Sequence, residues 1–414
     1  MKRIFFFLLV FIHVSLHAKE ITVGRGMAYA TLKQAIASAK DGDKILVYPG
    51  KYAEGEIIVD KRLYIKGIEY PVITGQGKYQ IFSIQANNVV LEGFSIVDGG
   101  YSSMHDFAAI KVVQSRDVII RNNKLLNNTF GIYFQNAKNS MVLNNLVQAK
   151  QVDEINSGNA IHCWKSDSIT VANNVVTGHR DGIYFEFVTN SMVRKNRSFL
   201  NIRYGLHFMF SHNNSYFDNS FVNNGSGVAV MYTRKVIMAR NIFKENWGSA
   251  SYGILMKDIS DSEVFNNTFI RNTVGVFMEG SSRINIKNNS FIENGWAMRV
   301  QASCNDNVIE KNNYQANSFD VGSNGDMQLN TFTGNYWDKY EGYDLNRDKV
   351  GDIPYRPVSL FSMVAERNPA ALMLFRSFLV DIIDKSERVL PALIPASLID
   401  EKPSMVKHDN KALK

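Results

Sequence analysis

Cysteine is nearly absent: Cys163 and Cys304 are the only two in 414 residues. The repeat spacing described below sets them about six coils apart, roughly 29 Å at about 4.8 Å per coil. That exceeds the reach of a disulfide, so both are expected as free, buried thiols. Long apolar runs are also missing after the first twenty residues. "ALMLFRSFLVDII" comes closest and is broken by Arg376 and Asp381. No block of Lys or Arg accompanies the formal charge of +7, so charge alone gives no reason to expect nucleic-acid binding. A phosphate-binding loop and a nucleophile motif are lacking too, and Asp181 beside Arg180 in "GHRDG" is the only cluster suggestive of acid–base chemistry. No carboxylate one repeat away pairs cleanly with it. The chain is therefore expected not to be an enzyme. The alternative class is a carbohydrate-active solenoid enzyme or binder acting on acidic polysaccharide.

The opening "MKRIFFFLLVFIHVSLHAKE" has a basic start, a short apolar block from Ile4 to Val14 and a small residue, Ala18, at a cleavage position. This pattern predicts a signal peptide over 1–18 rather than a spanning helix, because the block is too short. Its removal takes Lys2 and Arg3 and lowers the formal charge of +7 by two. The remainder is expected to be exported, to a periplasm where the cell has one.

What is abundant is self-similarity. Asn recurs at 123, 145, 174, 219, 241, 267, 289 and 313, with Arg197 filling one gap. "GIYF", "AIHC", "GIYF", "GLHF", "GVAV", "GILM" and "GVFM" mark the same period, and Phe199, Phe221, Phe243, Phe269 and Phe291 form a third column. Each unit of about 22 residues holds short alternating runs and Asn or Gly turns, with no room for a helix plus a strand. The pattern predicts an all-β, right-handed parallel β-helix over 61–335. The fixed Leu spacing of a leucine-rich horseshoe is missing. Residues 19–60 are read as a cap with one short helix and the first strands. Residues 336–414 are read as a C-terminal cap, with a helix over 366–390 and a tail containing Pro391, Pro395 and Pro403. Two long steps place insertions at 149–159, just before His162, and at 246–251, on what is expected to be a functional face.

In the "G-I-x-F" strands, alternation points Ile183, Phe185, Leu206, Phe208, Val228 and Val230 inward. One outward column then reads Tyr133, His162, Tyr184, His207, Ala229, Leu255, Phe277, and the next reads Glu186, Met209, Met231, Lys257, Glu279. Thioethers with imidazole suit Cu(I), so His162, His207, Met209 and Met231 are candidate ligands, with Glu186 as a ligand or an orienting partner. The alternative is that the methionines cover a packed surface and the histidines are incidental. His179 and His212, in nearby turns, have weaker claims. The outward apolar residues Leu255 and Phe277 require a cover, from the C-terminal tail or another protein. In "DLNRDKVGD", Asp344, Asn346, Asp348 and Asp352 occupy positions 1, 3, 5 and 9 of a calcium-type loop, although Lys349 stands where Gly is usual. An acidic capping turn is the alternative there.

"RYGLHFMFSHNN", "GVAVMYTRKV" and "NYWDKYEGYDLNRDKVGDIPYRPV" together resemble the NosD family of nitrous-oxide reductase maturation proteins. The likeness runs over nearly the whole chain after the opening segment. It implies a periplasmic copper-binding accessory protein. The implied partners are an ABC transporter permease and ATPase, a copper-chaperone lipoprotein and nitrous-oxide reductase. His207, Met209 and Met231 lie inside the matching motifs; His162, Cys163 and Glu186 gain less from them.

Overall fold

A computed structural model describes residues 18–102, 104–150, 153–325, 329–389 and 398–409. Nearly all of the expected signal peptide and the tail positions Pro391 and Pro395 lie outside these residues. Three parallel sheets of 14, 12 and 13 strands run the length of the molecule, and consecutive strands in the chain belong to different sheets. The chain is a right-handed parallel β-helix, as the period requires. Strand pairing begins at Glu20–Val23, which pairs with Lys44–Val47. Helix α1 (Leu32–Ser38) is therefore set into the first rung. Its N-cap Thr31 accepts from the backbone of Gln34, and Leu32, Ala35 and Ile36 are buried against the coil.

The interior repeats what the sequence alternates. Ile183, Phe185, Leu206, Phe208, Val228 and Val230 are all fully buried. Phe221, Phe243, Phe269, Phe291, Tyr314 and Trp337 stack as one aromatic column with ring centroids 4.0–5.4 Å apart. Phe199 is not part of it. Ser198 pairs with Phe221, and the one-residue offset turns Phe199 away from the core. Cys163 and Cys304 are buried free thiols, as expected.

Buried asparagines tie rung to rung. The ladder runs through Asn123, Asn145, Asn174, Asn196, Asn219, Asn241, Asn267, Asn289, Asn312 and Asn335. Arg197, expected in the gap, is exposed next to the true member, Asn196, and Asn312 rather than Asn313 holds the later place. In Asn196, Oδ1 accepts from Asn174 N (2.9 Å) and Nδ2 (3.0 Å), while Nδ2 donates to Val171 O, Arg194 O and Asn219 Oδ1 at 2.9–3.0 Å. Left-handed backbone falls on the residue before several ladder members, such as Asn122, Asn144 and Asn173, so turn-making and ladder-making are separate jobs. A second ladder (Asn201, Asn224, Asn246, Asn272, Asn294, Asn317) follows a parallel line. His179 takes the place below Asn201, its backbone N donating to Asn201 Oδ1 at 3.2 Å, at the rung that carries the 149–159 insertion.

The first ladder ends on Asp400, which returns from the C-terminal segment. Its fully buried carboxylate accepts from Gly334 N, Asn335 N, Asn335 Nδ2, Trp337 Nε1 and Lys402 N at 2.9–3.1 Å. The helix expected over 366–390 is three pieces: α2 (Leu360–Arg367), a 3-10 turn (Pro369–Leu374) and α3 (Phe378–Val389). Asn368 caps the turn and Pro369 follows it, which stops α2. Phe361, Ala365 and Val380 pack on Val274, Trp296 and Phe319, with Phe277 at the edge, so the C-terminal helices cover the far end of the outward column.

Two outcomes follow from the ladders. Asn196→Ala removes five side-chain hydrogen bonds and orphans buried donors, at a cost of about 3 kcal/mol or more. Arg197→Ala, its neighbour, changes stability by less than about 0.5 kcal/mol. Urea denaturation of both variants checks the assignment. Burial holds His179 down at about 4, only partly offset by the carbonyls of Thr129 and Gly158. Its unfolded value lies near 6.5. Its contribution to stability is therefore intact above pH 6.5 and is lost as pH falls toward 4, by up to about 1.4 kcal/mol per pH unit. His179→Asn flattens that loss, as read from urea midpoints between pH 7.5 and 4.5.

Candidate metal-binding face

The outer wall of the 12-stranded sheet carries the candidate residues. Register places Tyr133, His162, Tyr184, His207, Ala229, Leu255 and Phe277 on successive rungs. The four rings stack, with centroid spacings of 4.5, 4.8 and 4.7 Å. Phe130 packs beside His162 and Tyr204 beside His207. The two histidines of this outward column are consequently almost shut off from solvent: His162 is 7% exposed and His207 5%. Neither ring nitrogen of either histidine has a hydrogen-bond partner among the described residues. Burial, and next the Arg180 charge, holds His162 down at about 3, so it is neutral at ordinary pH.

Glu186, Met209, Met231 and Lys257 pair directly on consecutive rungs one column over, and each is partly exposed. The Tyr184 hydroxyl donates to Met209 Sδ at 3.6 Å. The register thus sets Met209 and Met231 side by side on neighbouring rungs, with Glu186 one rung below and His207 two residues before Met209 on its own strand. His162 does not join them. Tyr184 is sandwiched between the two imidazoles, so no single ion bridges His162 and His207, whose separation spans two ring spacings. Among the described residues, no group of three or more His, Cys, Asp or Glu side chains is arranged to hold a metal. Any soft-metal centre on this face has to be built on the methionines.

The acidic side chains of the 344–352 loop bond to the loop's own backbone. Asp344 accepts from the backbone N of Asp348 (3.1 Å) and Lys349 (2.8 Å). Asp348 accepts from Val350 N (2.8 Å) and Asn346 Nδ2 (3.1 Å), Asn346 Oδ1 from Asp348 N (3.1 Å), and Asp352 from Leu345 N (2.7 Å). These bonds hold the turn, including the left-handed Lys349 (φ 71°) where a calcium loop has Gly. His212 accepts from Arg234 N at 3.3 Å, a turn contact.

Two features escaped the sequence reading. Asp181, fully buried, is bound by Arg203 of the next rung, with Nε to Oδ1 at 2.9 Å and Nη2 to Oδ2 at 2.6 Å. Burial alone would raise this carboxyl, but the nearby His207 ring and the hydrogen-bonded Arg203 guanidinium outweigh it and hold Asp181 at about 2. Glu154 of the 149–159 insertion lies 3.6 Å from Arg203. The signal was the 22-residue step from 181 to 203, which no carboxylate-pair search would catch. The second feature is an exposed stack of Phe187, Phe210 and Tyr232, with centroids 5.2 and 5.1 Å apart, immediately after Glu186, Met209 and Met231. All three have left-handed backbone (φ 53°, 50°, 52°), a conformation in which aromatic residues are rare. Lys165 and Asp258 hold the same turn position on the flanking rungs.

Residues 147–342 match the family described as periplasmic copper-binding protein (NosD), and residues 65–185 match a right-handed β-helix region. A probable ABC transporter binding protein NosD of Pseudomonas aeruginosa is 27% identical over 165 residues, which span 39% of this chain and 38% of that protein's length. Among solved structures, the catalytic unit of a GH87 α-1,3-glucanase from Streptomyces thermodiastaticus is similar with a TM-score of 0.61 at 12% identity, covering 74% of this chain and 65% of that one. The A-module of the mannuronan C-5 epimerase AlgE4 of Azotobacter vinelandii has a TM-score of 0.51 at 15% identity, covering 73% and 88%. At these identities the structural likeness is one of fold. The matched region contains His162, Glu186, His207, Met209 and Met231, so the chain is a right-handed parallel β-helix protein that is similar to NosD over that stretch.

Proposed function

We propose that this chain is a periplasmic, non-enzymatic accessory protein of nitrous-oxide reductase maturation. It takes up Cu(I) as cargo and hands it on while docked to an ABC transporter. A copper-chaperone lipoprotein and the reductase stand on either side of the transfer. The observation that carries the reading is the in-register pairing of Met209 with Met231, both partly exposed, within the stretch that matches the copper-binding family. Thioethers select Cu(I) over hard cations. His207 supplies an imidazole with no protein partner at hydrogen-bond distance, and Glu186 stands beside Met209. His162, beyond Tyr184, serves at most a separate ion. Few ligands at a partly open surface favour exchange over retention, which suits a carrier. The polysaccharide reading finds no support in side chains: Asp181, the one suggestive acid, is fully buried and committed to Arg203.

The C-terminal helices suit docking to the membrane partner. Met373 is 89% exposed, Phe378 79% and Leu379 52%, on segments whose other faces pack against the solenoid. Apolar exposure on this scale marks a contact surface.

Anaerobic titration of the purified chain against a chromophoric Cu(I) chelator tests the cargo site. Met209→Leu/Met231→Leu keeps volume, changes stability by less than about 1.5 kcal/mol, and is expected to weaken Cu(I) binding about tenfold or more. Unchanged affinity overturns the site. For docking, Phe378→Asp/Leu379→Asp is expected to abolish co-purification with the permease and ATPase. Full retention of the complex rejects the helical surface as the contact.

A further inference from the structure

The buried Asp181–Arg203 pair is not explained by packing alone. Asp181 lies on the rung below His207, one position from the strand's glycine, at the edge of the 149–159 insertion. Its Oδ1 accepts from Arg203 Nε (2.9 Å) and Tyr204 N (3.3 Å), and its Oδ2 from Arg203 Nη2 (2.6 Å). The carboxylate is thereby fixed by three donors from the neighbouring rung. Its Oδ2 faces His207 Nδ1 at 3.7 Å. Neither nitrogen of that ring has a hydrogen-bond partner among the described residues, so this carboxylate is the charged group that faces it. Tyr184 and Tyr204 hold the ring on two sides, at 4.7 and 4.9 Å, so it cannot turn freely.

We infer that Asp181, held by Arg203, is a positioning residue for His207: it keeps the proton on Nδ1 and leaves Nε2 as the nitrogen offered to a soft metal. A carboxylate facing one imidazole nitrogen favours the tautomer protonated there, and the tautomer decides which nitrogen has a free lone pair. Arg203 matters because it fixes the direction in which the carboxylate faces the ring. Its two guanidinium hydrogen bonds form a fork that holds both carboxylate oxygens in place. The insertion contributes through Glu154, whose carboxylate lies 3.6 Å from Arg203 Nη1. The inference rests on the proposal that His207 joins Met209 and Met231.

The test begins with the unaltered, metal-free protein. Long-range proton–nitrogen correlation NMR on 15N-labelled chain, with His207 assigned by its loss in His207→Gln, reads the tautomer directly. The expected spectrum shows a protonated Nδ1 and an unprotonated Nε2. A protonated Nε2, or two averaged nitrogens, overturns the inference. Asp181→Asn keeps the side-chain volume but not the charge. It is expected to average the two nitrogen signals and to weaken Cu(I) about tenfold against the same chelator, the lower end for loss of an orienting partner. An unchanged tautomer in that variant also overturns the inference. If His207→Gln leaves Cu(I) affinity unaltered, the assignment of His207 to the metal falls, while the tautomer of the intact protein still decides the role of Asp181.

Discussion

The structure depends on one interaction, the side-chain amide of a buried asparagine bonded to the amide of the asparagine one rung away. Each such residue accepts from the rung before it and donates to the rung after it, and it also satisfies backbone carbonyls inside the coil. A hydrogen bond of this kind is worth about 1 kcal/mol net. Its larger effect is on register. A slip of one residue would unpair a whole line of buried donors and turn every following side chain to the opposite face. Because the ladders forbid that slip, residues one period apart stay neighbours on the outer wall. The pairing of Met209 with Met231 is a consequence of the asparagines inside.

That constraint explains which parts of the molecule were legible. The period, the sheet type and the inward positions could be read because they depend only on spacing and alternation. Columns were misread where two plausible residues stood side by side. Arg197 displaced Asn196, Asn313 displaced Asn312, and Phe199 stood in for Ser198. Apart from the two long steps the ladder advances by either 22 or 23 residues, so a fixed count drifts by one, and only hydrogen bonding decides the true member. The second ladder was written in the sequence with the same spacing and was hidden by the first. The break at Pro369 was visible as a residue type, and an apolar run around it outweighed it.

The outer face was legible as columns but not as chemistry. Two histidines two rungs apart and two methionines one rung apart suggested convergence. Whether they meet depends on what lies between them, and Tyr184 lies between the histidines. Ring stacking turned an apparent imidazole pair into two separate groups, each sealed under aromatic neighbours. The same stacking brought in Asp181 and Arg203, whose roles depend on side-chain reach between rungs and leave no motif. The acidic loop near 344–352 shows the converse case. Its spacing follows a calcium loop, and its carboxylates bond to the backbone they fold, which spacing alone does not reveal.

The carboxylate of Asp400 at the end of the first ladder has a consequence for the molecule as a whole. An asparagine column has polarity: every member passes a donor forward, so an unfinished column would present a ready template to another chain. A group that only accepts halts the relay. With α1 lodged in the opening coil and Asp400 closing the last one, neither end of the spiral invites an identical molecule to continue it, and a protein built from the pairing geometry of a fibril is kept at a single chain's length.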